Sequence, residues 1–355
     1  MTLIIAEAGV NHNGQRKFAF DLVDAAFKAG ADIVKFQTFN AGKLTSKNAR
    51  QADYQVKNTR IEESQYEMLK RLELPLDMHH ELLEYCNSLG IEFLSTAFDE
   101  VSLRFLVDDL GLKRLKLPSG ELTNAPLVLA HAQTGIDLIV STGMASLAEI
   151  EEALGIIAFG YISKKNILPS KKAFQEAYSS KAGQEILREK VTLLQCTTEY
   201  PAPMQEINLN VMDTFKKAFG LKVGYSDHSQ GVSVPIAAVT KGAVLIEKHF
   251  TLDKKMKGPD HKASLEPSEL KLMVKAIRDV ELALGSSVKV PTVSEVKNKN
   301  IARKSLIASK VICKGEKFTE ENISIKRPGG GIDPINYWDM IGTVAVKNYD
   351  KDELL

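Results

Sequence analysis

Along the first 285 residues, short apolar or β-branched runs recur eight times, and the segments between them carry apolar residues at helical spacing. The runs cover residues 3–6, 33–36, 92–94, 114–117, 138–140, 191–194, 222–225 and 244–247, each bounded by Gly, Pro or polar residues. A strand followed by a helix and another strand is the order that builds parallel sheets, because parallel neighbours need a crossover and cannot be joined by a tight turn. Eight such repeats predict a closed (β/α)8 TIM barrel in preference to an open doubly wound sheet. No glycine-rich dinucleotide fingerprint follows the first run. Helices are predicted at 18–29, with Leu22, Val23, Ala26 and Phe27 on one stripe, and at 80–89. Ser146 with Glu149 reads as a capping box, and Pro267 followed by Glu269 as a first helical turn.

Two connections exceed what a minimal barrel needs, from Asn40 to about His79 and from Ala158 to about Lys190. The first contains Ser64–Leu72, read as an extra helix, and the second reads as a helical insertion on the surface. Past Gly285 the composition changes to a linker-like stretch and then to β-like patches broken by Lys314-Gly315 and Pro328-Gly-Gly-Gly331. The predicted organisation is a barrel over 1–285, a linker over 286–297 and a small β-rich domain over 298–355.

The 46 Lys and Arg nearly balance the 45 Asp and Glu, so no polyelectrolyte surface for nucleic acid or basic face for a membrane is expected. Anionic ligands must then be met by local lysines. Cys86, Cys196 and Cys313 are odd in number and free of a CxxC pair, which fits a reducing compartment. The N-terminal residues lack a basic region followed by a cleavable apolar stretch, and no apolar run approaches ~20 residues. A cytoplasmic protein is the expectation.

Positions at or just past the C-terminal ends of the eight runs are Glu7, Lys35, Gln37, Thr96, Lys116, Ser119, Glu121, Ser141, Tyr200, Ser226, His228, Glu247 and His249. In a barrel, that rim carries the active site. Histidine is scarce, with seven in the chain, yet Gly224-Tyr-Ser-Asp-His228 and Leu245-Ile-Glu-Lys-His249 both end on one. On neighbouring strands the two rings lie side by side, with Ser226 and Glu247 two residues earlier on the same faces. That is half a metal site. A single strand-end histidine is ordinarily a satisfied core or surface residue, and the pairing is what brings ligation into contention. Lys35 and Lys116 close otherwise apolar strands, where burial is costly unless an anion is present. A lone lysine there would snorkel to solvent. Two of them, with the hydroxyls of Ser119, Ser141 and Ser226, point to a pocket for a small, highly charged phosphate ester. His12 and His261 read as turn or supporting residues, and Cys196 as a side chain that fills space.

These residues lie in segments that resemble a known family. Ile5-Ala-Glu-Ala-Gly-Val-Asn-His-Asn-Gly14, Val34-Lys-Phe-Gln-Thr38, Pro118-Ser-Gly-Glu121, Ser141-Thr-Gly-Met144, Tyr200-Pro-Ala-Pro203, Gly224–His228, Glu247-Lys-His-Phe-Thr251 and Gly258-Pro-Asp260 occur in order. They resemble the sialic acid synthases, the nonulosonic acid synthase family, from about residue 3 to 350. Lys326-Arg-Pro-Gly-Gly330 resembles that family's antifreeze-like (SAF) module. Ala52-Asp-Tyr-Gln55 and Cys196-Thr-Thr-Glu-Tyr200 are closest to bacterial members that make N-acetylneuraminic or legionaminic acid, with the balance towards legionaminate.

The resemblance implies condensation of phosphoenolpyruvate with an open-chain N-acylated mannose-type aldose, giving a nine-carbon 2-keto acid and phosphate. It implies Mn2+ or another divalent ion on His228 and His249, and phosphoenolpyruvate on Lys35, Thr96, Lys116, Ser119, Ser141 and Ser226. Gln37, Tyr200, Asp260 and Arg327 are implied to face the sugar, and Glu7 and Glu121 are the candidate carboxylates for proton transfer or for positioning water. Thr198 stands where some members carry an asparagine that touches phosphoenolpyruvate. Arg327 implies a domain-swapped homodimer, since in the family that arginine reaches the partner's barrel. Two other readings stand beside it: a metal-dependent barrel aldolase or hydrolase, which would share both histidines and the strand-end lysines, and a non-catalytic sugar- or anion-binding protein with the small module as the binding unit.

Overall fold

A computed structural model describes residues 1–59, 61–163 and 167–355. Its eight parallel strands are β1 (Leu3–Gly9), β2 (Ile33–Thr38), β3 (Glu92–Ala97), β4 (Arg114–Leu117), β5 (Asp137–Ser141), β6 (Val191–Gln195), β7 (Lys222–Asp227) and β8 (Leu245–His249). They pair in chain order, and β1 also pairs with β8 from Leu3↔Leu245 to Glu7↔His249, so the sheet closes into a barrel. Several strands run two or three residues past the apolar runs read from the sequence, because parallel pairing carries the ladder into the polar residues of the rim.

Alternation sorts each strand into two faces. Inward, Ile5, Ile33, Leu94, Ile139, Leu194 and Leu245 form a closed apolar layer. Gly224 occupies the corresponding place on β7, where a Cβ would lie 2.5 Å from the Leu245 carbonyl oxygen and 2.7 Å from a Leu194 methyl. Outward, Ile4, Val34, Phe36, Leu115, Val140, Leu193 and Ile246 join the large core shared with the surrounding helices.

The helix Arg16–Ala29 buries Leu22, Val23 and Ala26 but leaves Phe27 43 % exposed. Leu76–Leu89 begins four residues before the predicted start at 80, after Pro75. Ser146 and Glu149 do form a capping box at the head of Leu147–Ile162, and Pro267 opens the helix Pro267–Leu284. In the long β2 connection, Ser64 caps the helix Gln65–Leu72, and a further short helix, Asp53–Thr59, precedes it. The insertion read over 158–190 yields Lys171–Ser179 and Lys181–Lys190, set against Leu147–Ile162 through Phe159 and Phe174; its residues 164–166 lie outside the described residues.

Contacts divide the chain into compact units Met1–Gly285 and Ser286–Leu355. In the second unit, β9 (Ser305–Ala308) pairs antiparallel with β10 (Ile323–Lys326) over a core of Leu306, Ala308, Ile312, Phe318, Ile323, Ala345 and Tyr349. A helix, Val293–Ala302, starts inside the stretch read as linker, because Thr292 and Glu295 form a capping box. Among the described residues, no helix is long and apolar enough to cross a membrane.

His12, His79, His131 and His261 are fully enclosed, and burial pushes each imidazole from the usual 6.5 down to about 4. Each is neutral in the fold, while the unfolded chain takes up its proton as pH falls below 6.5. Stability from these residues is therefore intact above pH 6.5 and is lost as pH falls towards 4, by up to about 3 kcal/mol for each. Urea unfolding at pH 7.5, 6 and 5 should show a steep loss of stability, and His131→Gln a shallower one. Equal stability at the three pH values would contradict this account.

Candidate active site

One step towards the C-terminal ends from the apolar layer, the inward positions become polar. Glu7 on β1, Lys35 on β2, Thr96 on β3, Lys116 on β4, Ser141 on β5, Ser226 on β7 and Glu247 on β8 form a ring of side chains, each almost wholly buried. Each follows its strand's apolar inward residue by two where there is one, as Glu7 follows Ile5 and Glu247 follows Leu245. Gln37, Ser119, Cys196, Tyr200, His228 and His249 lie above, and together they line a cavity of about 180 Å³ at the barrel mouth.

The ring is held by charge. Lys35 Nζ lies 3.1 Å from both Glu7 Oε2 and Glu247 Oε2, and Lys116 Nζ is 3.3 Å from Glu247 Oε1. Lys35 also donates a hydrogen bond to Thr96 Oγ1 at 3.1 Å. Ser226 donates to Glu247 Oε1 at 2.9 Å, and Gln37 Nε2 lies 3.3 Å from Glu7 Oε1.

The two carboxylates respond oppositely. Burial raises the Glu7 carboxyl to about 7 despite Lys35 beside it. Burial works the same way on Glu247, but Lys116 and Lys35, with the Ser226 hydroxyl, outweigh it and hold this carboxyl well below the usual range. Burial also lowers Lys116, whereas for Lys35 it is overcome by Glu247 and Glu7 and the ammonium is held firmly. Near neutral pH the ring thus sets two lysines against one firmly ionised carboxylate and one half-titrated one. Ser141 Oγ is buried, lines the cavity and has no partner. An enclosed pocket with two buried lysines and a hydroxyl without a protein partner suits an anion.

His228 and His249 sit over this ring with centroids 5.4 Å apart. His228 Nδ1 is 2.6 Å from the Thr197 carbonyl oxygen. A carbonyl only accepts, so Nδ1 carries the proton and Nε2 keeps its lone pair. His249 Nδ1 is buried without a partner. Burial lowers both imidazoles, which keeps them neutral and able to donate electron pairs. Two such donors fit a divalent ion, although among the described residues no three His, Cys, Asp or Glu side chains are grouped to hold one. The protein offers two ligands, and water or substrate oxygens would complete the set.

Tyr200 packs against His228 with the rings tilted and their centroids 4.1 Å apart, and Tyr54, from Asp53–Thr59, stacks on Tyr200 at 5.0 Å. Asn58 of the same helix donates to the Pro259 carbonyl oxygen at 2.8 Å, tying the long β2 connection to the segment after β8. Asp260 lies in that segment, buried but outside the cavity lining.

Twelve of the thirteen rim positions read from the sequence thus share one cavity: Glu7, Lys35, Gln37, Thr96, Lys116, Ser119, Ser141, Tyr200, Ser226, His228, Glu247 and His249. Glu121 is not among them. It ends a short 3-10 turn, and its carboxylate accepts a 2.7 Å hydrogen bond from Asn124. Arg327 is exposed at the end of β10 in the second unit. Cys196, read as mere filling, lines the cavity with Sγ 3.3 Å from Ser119 Oγ, and Thr198 lines it too. Glu247 had been given no role, yet it bridges both lysines; its place two residues after Leu245 was the available signal.

Residues 22–289 match the model of the NeuB family. The chain is 49 % identical over 354 residues to the N,N'-diacetyllegionaminic acid synthase of Campylobacter jejuni, covering 100 % of this chain and 98 % of the relative. It is 44 % identical to the enzyme of the same name from Legionella pneumophila, covering 96 % and 89 %. Among solved structures it resembles the N-acetylneuraminic acid synthetase of Leptospira borgpetersenii, crystallised with citrate. There the TM-score is 0.67 at 30 % identity, covering 84 % of this chain and 90 % of that one.

Burial alone raises the Asp260 carboxyl from 3.8 to about 6. A raised carboxyl stabilises the fold below its unfolded value, and that contribution is lost as pH rises through 6, by up to about 3 kcal/mol. Asp260→Asn should therefore gain stability relative to wild type between pH 4 and pH 7 in urea unfolding. A difference that does not change with pH would refute the assignment.

Proposed function

The chain belongs to the NeuB family, and from that premise we propose that it condenses phosphoenolpyruvate with an N-acylated mannose-type aldose, releasing phosphate and a nine-carbon 2-keto sugar acid. The observation that carries this reading is the enclosed ring of two lysines and the unpartnered Ser141 hydroxyl beneath two neutral imidazoles. For the sugar we favour 2,4-diacetamido-2,4,6-trideoxymannose, giving N,N'-diacetyllegionaminic acid, over N-acetylmannosamine. The two legionaminic acid synthases at 49 % and 44 % identity support that choice.

In this reading Lys35, Thr96, Lys116, Ser119, Ser141 and Ser226 hold phosphoenolpyruvate. Lys116, whose charge is opposed by burial and met by Glu247 alone, gains a second anionic partner when a phosphate or carboxylate enters. Fixed ammonium and hydroxyl groups in an enclosed cavity then stabilise charge as it develops. Carbon 3 of the enol ester attacks the sugar's aldehyde carbon. Carbon 2 becomes cationic and takes up water, and the tetrahedral intermediate collapses with cleavage of its C–O bond to release phosphate. Glu7, titrating near 7, is suited to hold or move a proton at the entering water. His228 and His249 would hold a divalent ion, Mn2+ by family resemblance. Such an ion, when bound, polarises the sugar carbonyl as a Lewis acid.

Gln37, Tyr200, Asp260 and Arg327 are assigned to the sugar. The unit over 298–355 is assigned as an antifreeze-like module that delivers Arg327 to the partner's barrel in a domain-swapped homodimer. A cytoplasmic location goes with this reading, because that is where phosphoenolpyruvate is formed.

Purified protein given phosphoenolpyruvate, Mn2+ and each sugar in turn should release phosphate with the diacetamido sugar. The product mass should equal the two substrates plus water minus phosphoric acid. No phosphate from either sugar, in folded and Mn2+-loaded protein, would overturn the function. Lys116→Met should lower kcat/KM by about 10²–10³. The swapped dimer has its own test: Arg327→Ala and His249→Ala proteins should each be inactive. When refolded together in equal amounts, they should recover roughly a quarter of wild-type sites, because half the dimers are mixed and each has one intact site. No recovery would place Arg327 in its own subunit's site.

A further inference from the structure

Behind the two imidazoles, on the outer face of the same strands, lies a charge pair that no step above uses. Asp227 and Lys248 are wholly buried and are register partners in the β7–β8 ladder. Lys248 Nζ donates to Asp227 Oδ2 at 2.6 Å and also to the Ser229 carbonyl oxygen. Asp227 Oδ1 accepts a 2.9 Å hydrogen bond from the Ser229 backbone N–H. Alternation turns this pair outward, whereas Ser226, His228, Glu247 and His249, their immediate neighbours, turn into the cavity.

The outward residues one step earlier on these strands, Tyr225 and Ile246, belong to the large hydrophobic core. An ion pair in such a layer is a poor source of stability, because two apolar side chains of similar volume serve as well or better. What it supplies is position. Two charges that meet only in one register oppose sliding of β7 against β8. The bonds to both backbone groups of Ser229 also set the course of the chain leaving His228. Both imidazoles are therefore flanked by the same clamp, His228 between Asp227 and Ser229, and His249 directly after Lys248.

We propose that the Asp227–Lys248 pair, with its anchor at Ser229, is the positioning element that holds His228 and His249 at a ligating separation. Divalent-ion affinity then depends on two residues that touch neither ion nor substrate. The inference rests on the reading of both histidines as metal ligands, and the test separates the two.

Mn2+ alone is titrated into the full-length protein, and free Mn2+ is followed by electron paramagnetic resonance, with wild type, Asp227→Leu/Lys248→Met and His228→Ala compared. The apolar double variant should melt at or above the wild-type temperature yet bind Mn2+ about 10–100-fold more weakly, the loss typical of residues that orient metal ligands. Wild-type Mn2+ affinity in that variant overturns the proposal, whatever its melting temperature. Should it not fold, Asp227→Asn is measured instead. It keeps the side chain's outline and the acceptor for Ser229, and about a tenfold loss is expected; an unchanged Kd again overturns the proposal. His228→Ala should lose binding altogether. If it binds as wild type does, the metal reading itself has failed.

Discussion

Closure of the sheet is the constraint on which the barrel mouth depends. The β1–β8 ladder sets Glu7 opposite His249, and the β1–β2 ladder sets Glu7 opposite Lys35. Without that closure, the first and last strands would lie at opposite edges of an open sheet, with Glu247 far from Lys35. With it, four charged side chains from β1, β2, β4 and β8 meet in one enclosed space. The apolar layer beneath them, including the gap that Gly224 leaves for Leu194 and Leu245, seals that space from the other end of the barrel.

Enclosure gives the charges their character. In water, the lysines and carboxylates of this ring would be ordinary ions with weak mutual attraction. Inside the barrel, desolvation acts on all four, and each outcome depends on how many opposite charges lie within reach. Glu247 touches two ammonium groups and stays ionised, whereas Glu7 touches one and is pushed towards its neutral form. The same enclosure keeps both imidazoles neutral. An anion pocket and the proposed cation site can thus adjoin without one cancelling the other.

Much of this was legible in the chain. Eight runs with helices between them predict the barrel, and counting in twos from Ile5, Ile33, Leu94 or Ile139 leads to Glu7, Lys35, Thr96 or Ser141. The signal failed where a residue's role depends on what lies across the barrel. Glu247 matters because Lys35 and Lys116 reach it from other strands, and Cys196 because Ser119 comes to meet it. Glu121 also follows a strand end closely, and the short turn after β4 sets it against Asn124, a contact that no periodicity shows. Tyr54 gave no signal, since its stacking on Tyr200 joins segments far apart in the chain.

The sequence by itself determined the order of the eight barrel strands, the helix cap at Ser146, and which side chains share a face of each strand. These follow from local periodicity and short-range hydrogen bonding, which any window of residues carries. The tertiary structure alone decided which charges pair, which carboxyl is raised, which hydroxyl is left unpartnered and which loop covers the mouth. Those outcomes depend on distance and desolvation between residues tens to hundreds of positions apart, and both quantities exist only once the barrel has closed.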